Sequence, residues 1–219
     1  KGRYCSVNTM KRKGIFITFE GPEGGGKTTQ ARLLFDYLTK QGHKCILTRE
    51  PGGTALSEKI RDILLDPANK GINPVCETLL FEAARAALVE KHIKPALSKK
   101  VIVICDRFSD ATFVYQGFAG KQDLGKIKVI DEYARQGIMP CLTILLDIDA
   151  KEGLRRAADK HKSSGRDRME RKPLVYHKAV RNGYLALAKA EPSRIKVIKT
   201  QSSIDKTHDL IVKEVLNVI

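Results

Sequence analysis

Tryptophan is absent from this chain of 219 residues, and aromatic residues make up only 6% of it. Few aromatics interleave with its basic residues, and no RRM, KH, zinc-finger or helix-turn-helix signature occurs, which argues against a nucleic-acid-binding protein. No run of about 18 uninterrupted apolar residues is present, so no membrane span is expected. The five cysteines (5, 45, 76, 105 and 141) are odd in number and include no CxxC or Cys/His cluster. They read as buried, reduced thiols of a cytoplasmic protein. The first thirteen residues lack acid and any apolar h-region, so they are not a secretory signal. Residues 1–12 read as a poorly ordered basic extension.

The chain is 42% hydrophobic, enough for the core of one large α/β domain over residues 13–219. The formal net charge is +15, of which five come from Lys1, Arg3, Lys11, Arg12 and Lys13. Such an excess suggests anionic partners: nucleotide, nucleic acid or acidic lipid. Charge alone does not choose among them.

Short apolar, β-branched runs predict strands at Lys13–Glu20, Lys44–Thr48, Val101–Cys105, Leu142–Asp147 and Ile195–Ile198. Between them, helical periodicity runs from the end of a glycine-rich segment to Gly42. It returns over Ser57–Leu65, Pro74–Leu97 with a break near Pro95, and Asp123–Gln136. Three more stretches follow: Ala150–Lys160, Leu174–Ala190 and Ile204–Ile219. Strands alternate with helices, so a five-stranded parallel sheet flanked by helices on both faces is expected.

Gly21-Pro22-Glu23-Gly24-Gly25-Gly26-Lys27-Thr28 fits GxxxxGK[ST], after a strand and before a helix. Glycines let backbone N–H groups turn inward around phosphate oxygens, and the helix N-terminus adds partial positive charge. Lys27 is expected to reach the terminal phosphates of ATP, and the Thr28 hydroxyl to ligate Mg²⁺, with Thr29 completing the ATP-binding stretch. The motif implies the three-layer P-loop NTPase fold. It does not identify the acceptor.

Four further segments carry a resemblance to the thymidylate kinase family, extending from about Lys13 to the last helix. They are Phe19-Glu20-Gly21-Pro22-Glu23-Gly24; Thr48-Arg49-Glu50-Pro51-Gly52-Gly53-Thr54 with Arg61; Phe81 to Arg85; and Asp106-Arg107-Phe108 with Thr112 and Tyr115-Gln116-Gly117. The resemblance implies transfer of the γ-phosphoryl group of ATP to dTMP. It implies that Glu23 binds the 3′-hydroxyl of dTMP, Arg61 faces its phosphate, and Glu50 supports the Mg²⁺ or phosphate region. Phe81 and Arg85, four apart on one helical face, would read thymine. Asp106 would sit beside Mg²⁺ as a Walker-B-type acid, and Arg107 would bridge the two phosphates. Thr112 and Gln116 would lie in the dTMP site, and the Tyr115 ring would exclude a ribose 2′-hydroxyl. The chain departs from the family at Leu88, Ala111, Val114 and Cys141.

Segment 160–172, KHKSSGRDRMERK, is net +4 and lies where these kinases carry a LID. The Walker loop holds no arginine, and family members of that type take catalytic arginines from the LID. Arg166 and Arg168 are therefore expected to join Lys27 and Arg107 in catalysis. The resemblance further implies a homodimer, no stable nucleic-acid partner and no membrane association. A P-loop kinase with another acceptor is the alternative.

Overall fold

The segment Phe16–Glu20 (β1) has β-branched and aromatic residues at nearly every position, and all five are buried. It forms the middle strand of a parallel sheet in a computed structural model that describes residues 14–160, 167–201 and 203–219. The strand order is β2-β3-β1-β4-β5, with β2 Cys45–Arg49, β3 Ile102–Asp106, β4 Leu142–Asp147 and β5 Ile195–Lys199. Phe19 lies beside Asp106, and Asp106 beside Arg49, so Glu20, Arg49 and Asp106 end at one edge of the sheet. The chain reverses direction across the sheet at β1. That switch point is where open α/β sheets bind ligands.

The helices are α1 Lys27–Lys40, α2 Ala55–Leu65, α3 Pro74–Leu88, α4 Lys94–Ser98 and α5 Ser109–Thr112. They continue as α6 Leu124–Arg135, α7 Ala150–Lys160, α8 Leu174–Ala190 and α9 Ile204–Leu216. The period-2 alternation of β1 sends Ile17 and Phe19 into a core with Leu34 and Leu38 of α1 and Ile211 and Val215 of α9. It sends Phe16 to the other face, against Leu88, Val89, Ile93 and Phe108. Each such buried aliphatic contributes about 1.5–3 kcal/mol. Thr18 and Thr143, buried on neighbouring strands, satisfy each other at 2.8 Å.

Two elements differ from the periodicity. The stretch expected to be helical to Leu97 is α3, a π-helical segment Val89–Ile93 and then α4. Pro95 has no N–H to donate and its ring would collide with the carbonyl four residues back, so the wider turn precedes it. Residues 107–122 carry no element predicted from periodicity. They form α5 and a second π-helical segment, Phe113–Ala119, whose widened turn carries Tyr115 and Gln116.

Candidate active site

The loop after β1 adopts left-handed backbone at Gly21 (φ 136°), Gly24 (φ 68°) and Gly26 (φ 86°). Gly26 is the N-cap of α1 and offers no side-chain cap, which leaves the first N–H groups of that helix for an anion. A Cβ on Gly24 would strike the carbonyl of Gly153 on α7, and one on Gly153 would strike the carbonyl of Glu23. Loop and helix therefore touch backbone to backbone, a packing that needs glycine on both sides.

Lys27 is buried, and its Nζ donates to the carbonyls of Gly21 (3.0 Å) and Pro22 (2.7 Å). Burial and the nearby Arg107 lower its pKa to about 8, against the pull of Glu23, Asp106 and Glu20. The Thr28 hydroxyl donates to Asp106 Oδ2 at 2.5 Å, so one hydroxyl and one carboxylate meet at a point beside the loop. That donor set fits Mg²⁺, which takes few protein oxygens and shares the rest with phosphate and water. Among the described residues no group of three or more His, Cys, Asp or Glu side chains could hold a metal.

Arg107 also has left-handed backbone (φ 70°), uncommon for a residue with a Cβ. Its Nη2 donates to Glu23 Oε1 (2.8 Å) and to the Tyr115 hydroxyl (3.0 Å), and that hydroxyl donates to Glu23 Oε1 (2.8 Å). Its Nη1 reaches the Tyr184 hydroxyl (3.2 Å) and the Gly21 carbonyl (3.3 Å). The guanidinium lies 4.9 Å from the centre of the Tyr115 ring. Burial alone would raise the Glu23 pKa, but Arg107, Lys27 and the Tyr115 hydroxyl outweigh it and hold the carboxyl at about 2.

At the other end of the cleft stands Arg85, only 2% exposed. Its Nε donates to Glu50 (2.9 Å), and its Nη1 donates to Glu82 (2.6 Å) and Asp131 (3.1 Å). Asp131 also accepts from Ser109 Oγ (2.6 Å) and Arg135 Nε (2.9 Å). Three buried carboxylates thus face Arg85 and Arg135. Burial, with Glu82 and Asp131 adding to it, pushes Glu50 up to about 8 despite Arg85, and burial raises Glu82 as well. Phe81 lies partly buried one helical turn before Arg85.

The phosphate loop and the Arg85 end share one cleft of about 480 Å³. It collects Glu23, Gly24, Gly26, Lys27, Thr28 and Thr29 from the loop, with Asp106 and Arg107 from β3 and its following turn. Glu50, Arg61, Phe81, Arg85, Thr112, Tyr115 and Gln116 complete the predicted set. Arg61 Nη1 donates to the Pro51 carbonyl at 2.8 Å, and Gln116 Nε2 to Glu77 at 2.9 Å. Gly21, Pro22 and Gly25, also expected at ATP, belong to the same loop but are not among the residues lining the cleft.

Two expectations come out differently. Glu50 was expected near the metal or phosphate, but its carboxylate is engaged by Arg85. Arg168 does not face the cleft. Its Nε donates to the Leu64 carbonyl (2.7 Å) and its Nη1 pairs with Glu77 (2.5 Å), so its charge is already committed to α2 and α3. Arg166 lies outside the described residues. Arg156 of α7, paired with Glu152 at 2.8 Å, also lines the cleft, a position that no motif in the sequence marks. Sequence reasoning also missed Ser109, Asp131 and Tyr184, because each is one polar residue in a helix and only the tertiary fold brings it to the site. Of the departures from the family pattern, Ala111 lines the cleft, and Val114 is buried against α8. Cys141 sits at the far end of the sheet, its Sγ 3.2 Å from the Phe16 carbonyl.

The sequence profile of the family described as Thymidylate kinase matches residues 19–211. The chain is 44% identical over 206 residues to a thymidylate kinase of Geotalea uraniireducens, covering 93% of this chain and 97% of that protein. It is 46% identical over 205 residues to one of Symbiobacterium thermophilum, covering 92% and 94%. The crystal structure of thymidylate kinase from Ehrlichia chaffeensis superposes with a TM-score of 0.75 at 35% identity, covering 93% of this chain and 98% of that one.

Proposed function

The chain belongs to the thymidylate kinase family and phosphorylates dTMP from ATP, and from that premise we propose how its cleft divides the work. The observation that carries the proposal is that the phosphate loop and the Phe81–Arg85 pair open into one cleft with Arg107 between them. ATP lies along Gly21–Thr29 with its terminal phosphates at Lys27. The dTMP base lies between Phe81 and Arg85, its phosphate faces Arg61, and its 3′-hydroxyl meets Glu23. Tyr115 fills the space a 2′-hydroxyl would need. The nucleophile is a phosphate oxygen that is already anionic, so no general base is required. Catalysis is positioning and neutralisation of charge. Lys27 and Arg107 supply that charge inside the cleft, where it is poorly screened.

Thr28 and Asp106 would hold Mg²⁺, which neutralises charge on the donor phosphates when bound. Arg166 of segment 160–172, acting as a LID, and Arg156 on the rim would add positive charge over the donor. Residues 13–219 act as one kinase domain, cytoplasmic and independent of nucleic acid. No helix among the described residues is long and apolar enough to cross a membrane.

We also infer a homodimer. Leu56 and Ile63 of α2, Val75 and Leu79 of α3, and Val129 and Tyr133 of α6 are exposed apolar side chains on helices that pack side by side. A face of that kind suits a second copy of the same chain.

Steady-state kinetics of Lys27→Ala and Phe81→Ala test the division of labour. Lys27→Ala should lose kcat. Phe81→Ala should raise the KM for dTMP about 5- to 100-fold, the worth of one stacked base, with the KM for ATP unchanged. A Phe81→Ala enzyme with wild-type KM for dTMP would refute the base assignment.

A further inference from the structure

Arg107 keeps its left-handed backbone only because its surroundings over-determine it. One carboxylate reaches that constraint from two sides. Glu20, at the end of β1, is fully buried. Its Oε1 accepts the N–H of Phe108 at 2.7 Å, directly after the strained residue. Its Oε2 accepts the hydroxyl of Tyr184 at 2.6 Å, and the same hydroxyl accepts Arg107 Nη1 at 3.2 Å. Glu20 therefore braces Arg107 at both ends, the backbone through Phe108 and the guanidinium through Tyr184. Tyr184 is only 2% exposed, and its ring packs edge-on against Tyr115, whose hydroxyl holds Arg107 Nη2.

We propose that Tyr184 and Glu20 are positioning residues for phosphoryl transfer, holding the Arg107 guanidinium at the point where donor and acceptor phosphates meet. This rests on the bridging role given to Arg107 above. Neither residue lines the cleft, so each acts through Arg107. The need for a brace follows from Glu23. Glu23 anchors Nη2 at 2.8 Å. When the 3′-hydroxyl of dTMP occupies Glu23, that anchor is shared, and the hold on Nη1 by the Tyr184 hydroxyl (3.2 Å), beside the longer contact to the Gly21 carbonyl (3.3 Å), lies away from the substrate. A long side chain freed there would drift, and a misplacement of about 1 Å in such a site costs on the order of a hundredfold in rate.

Tyr184→Phe removes one hydroxyl and keeps the ring in its core. The expected result is a fall in kcat of about tenfold, the worth of a hydrogen bond to a charged group, with the KM for ATP within about twofold of wild type. In an Arg107→Ala background, where there is nothing left to hold, Tyr184→Phe should cause no further fall. A Tyr that merely fills the core would lower kcat by the same factor in both backgrounds, and that outcome would overturn the proposal. Wild-type kcat in Tyr184→Phe beside a crippled Arg107→Ala would overturn the brace alone. Wild-type kcat in Arg107→Ala would overturn the bridging role beneath it. Glu20→Gln, which keeps the shape and removes the charge, is the second variant and should show the same dependence on Arg107.

Discussion

Replacing Arg85 with Met tests whether the base end of the cleft is held by charge. Arg85 is 2% exposed and meets Glu50, Glu82 and Asp131 at 2.6–3.1 Å. Removing the guanidinium leaves those carboxylates with Arg135 as their remaining cation in the cluster. Taking one partner from a buried pair costs about 3–5 kcal/mol, a large part of the roughly 5–15 kcal/mol that keeps a domain folded. The sign with pH follows from Glu50. In the folded wild type its pKa is raised from 4.5 to about 8. The folded state therefore keeps a proton that the unfolded chain has lost, and this group makes stability fall as pH rises between about 4.5 and 8. Without Arg85 the carboxylates hold protons still more tightly, and the slope steepens. Arg85→Met should therefore lie furthest below wild type near pH 8 and recover part of the gap near pH 5.5. Urea unfolding followed by circular dichroism at both pH values measures it. A gap below about 1 kcal/mol at pH 8, or one that does not change with pH, would show that charge does not hold this end of the cleft.

Burial of Lys27 lowers its pKa to about 8. Above that pH, ATP must bind together with a proton, so its affinity should fall by up to about tenfold per pH unit; calorimetric titration from pH 7 to 9.5 would show a flat affinity if this is wrong. Gly153→Val should displace Glu23 and weaken ATP binding while α7 stays helical by circular dichroism, because the new side chain meets the Glu23 carbonyl. Chelation of Mg²⁺ should abolish transfer, and adding Mg²⁺ back should restore it. Tyr133→Glu, on a side chain that is 88% exposed, should shift sedimentation from dimer to monomer.

The strands, their parallel arrangement and the phosphate loop were legible from pattern: apolar runs such as Ile102–Cys105 alternating with helices, and glycines where the backbone must turn; the order of the strands was not. The cleft was legible where a motif concentrates several groups in a few residues, as at Glu23–Thr29 and Asp106–Arg107. It was not legible where one residue joins the site from a distant helix. Asp131 and Tyr184 belong to no motif, and only the fold places them beside Arg85 and Arg107. Arg168 misleads for the same reason. A basic segment suggests a role in the cleft, but the carbonyl of Leu64 and the carboxylate of Glu77 claim the guanidinium. The π-helical segments are set by Pro95 and by packing around Tyr115, neither of which produces a regular period.

Selectivity of the cleft for dTMP is measured by initial rates with ATP and Mg²⁺ across dTMP, dUMP, dGMP, AMP and the ribose analogue of TMP. The highest kcat/KM is expected for dTMP, with the ribose analogue and both purine nucleotides far below it. A kcat/KM for AMP or dGMP above that for dTMP would contradict the assignment of dTMP as acceptor.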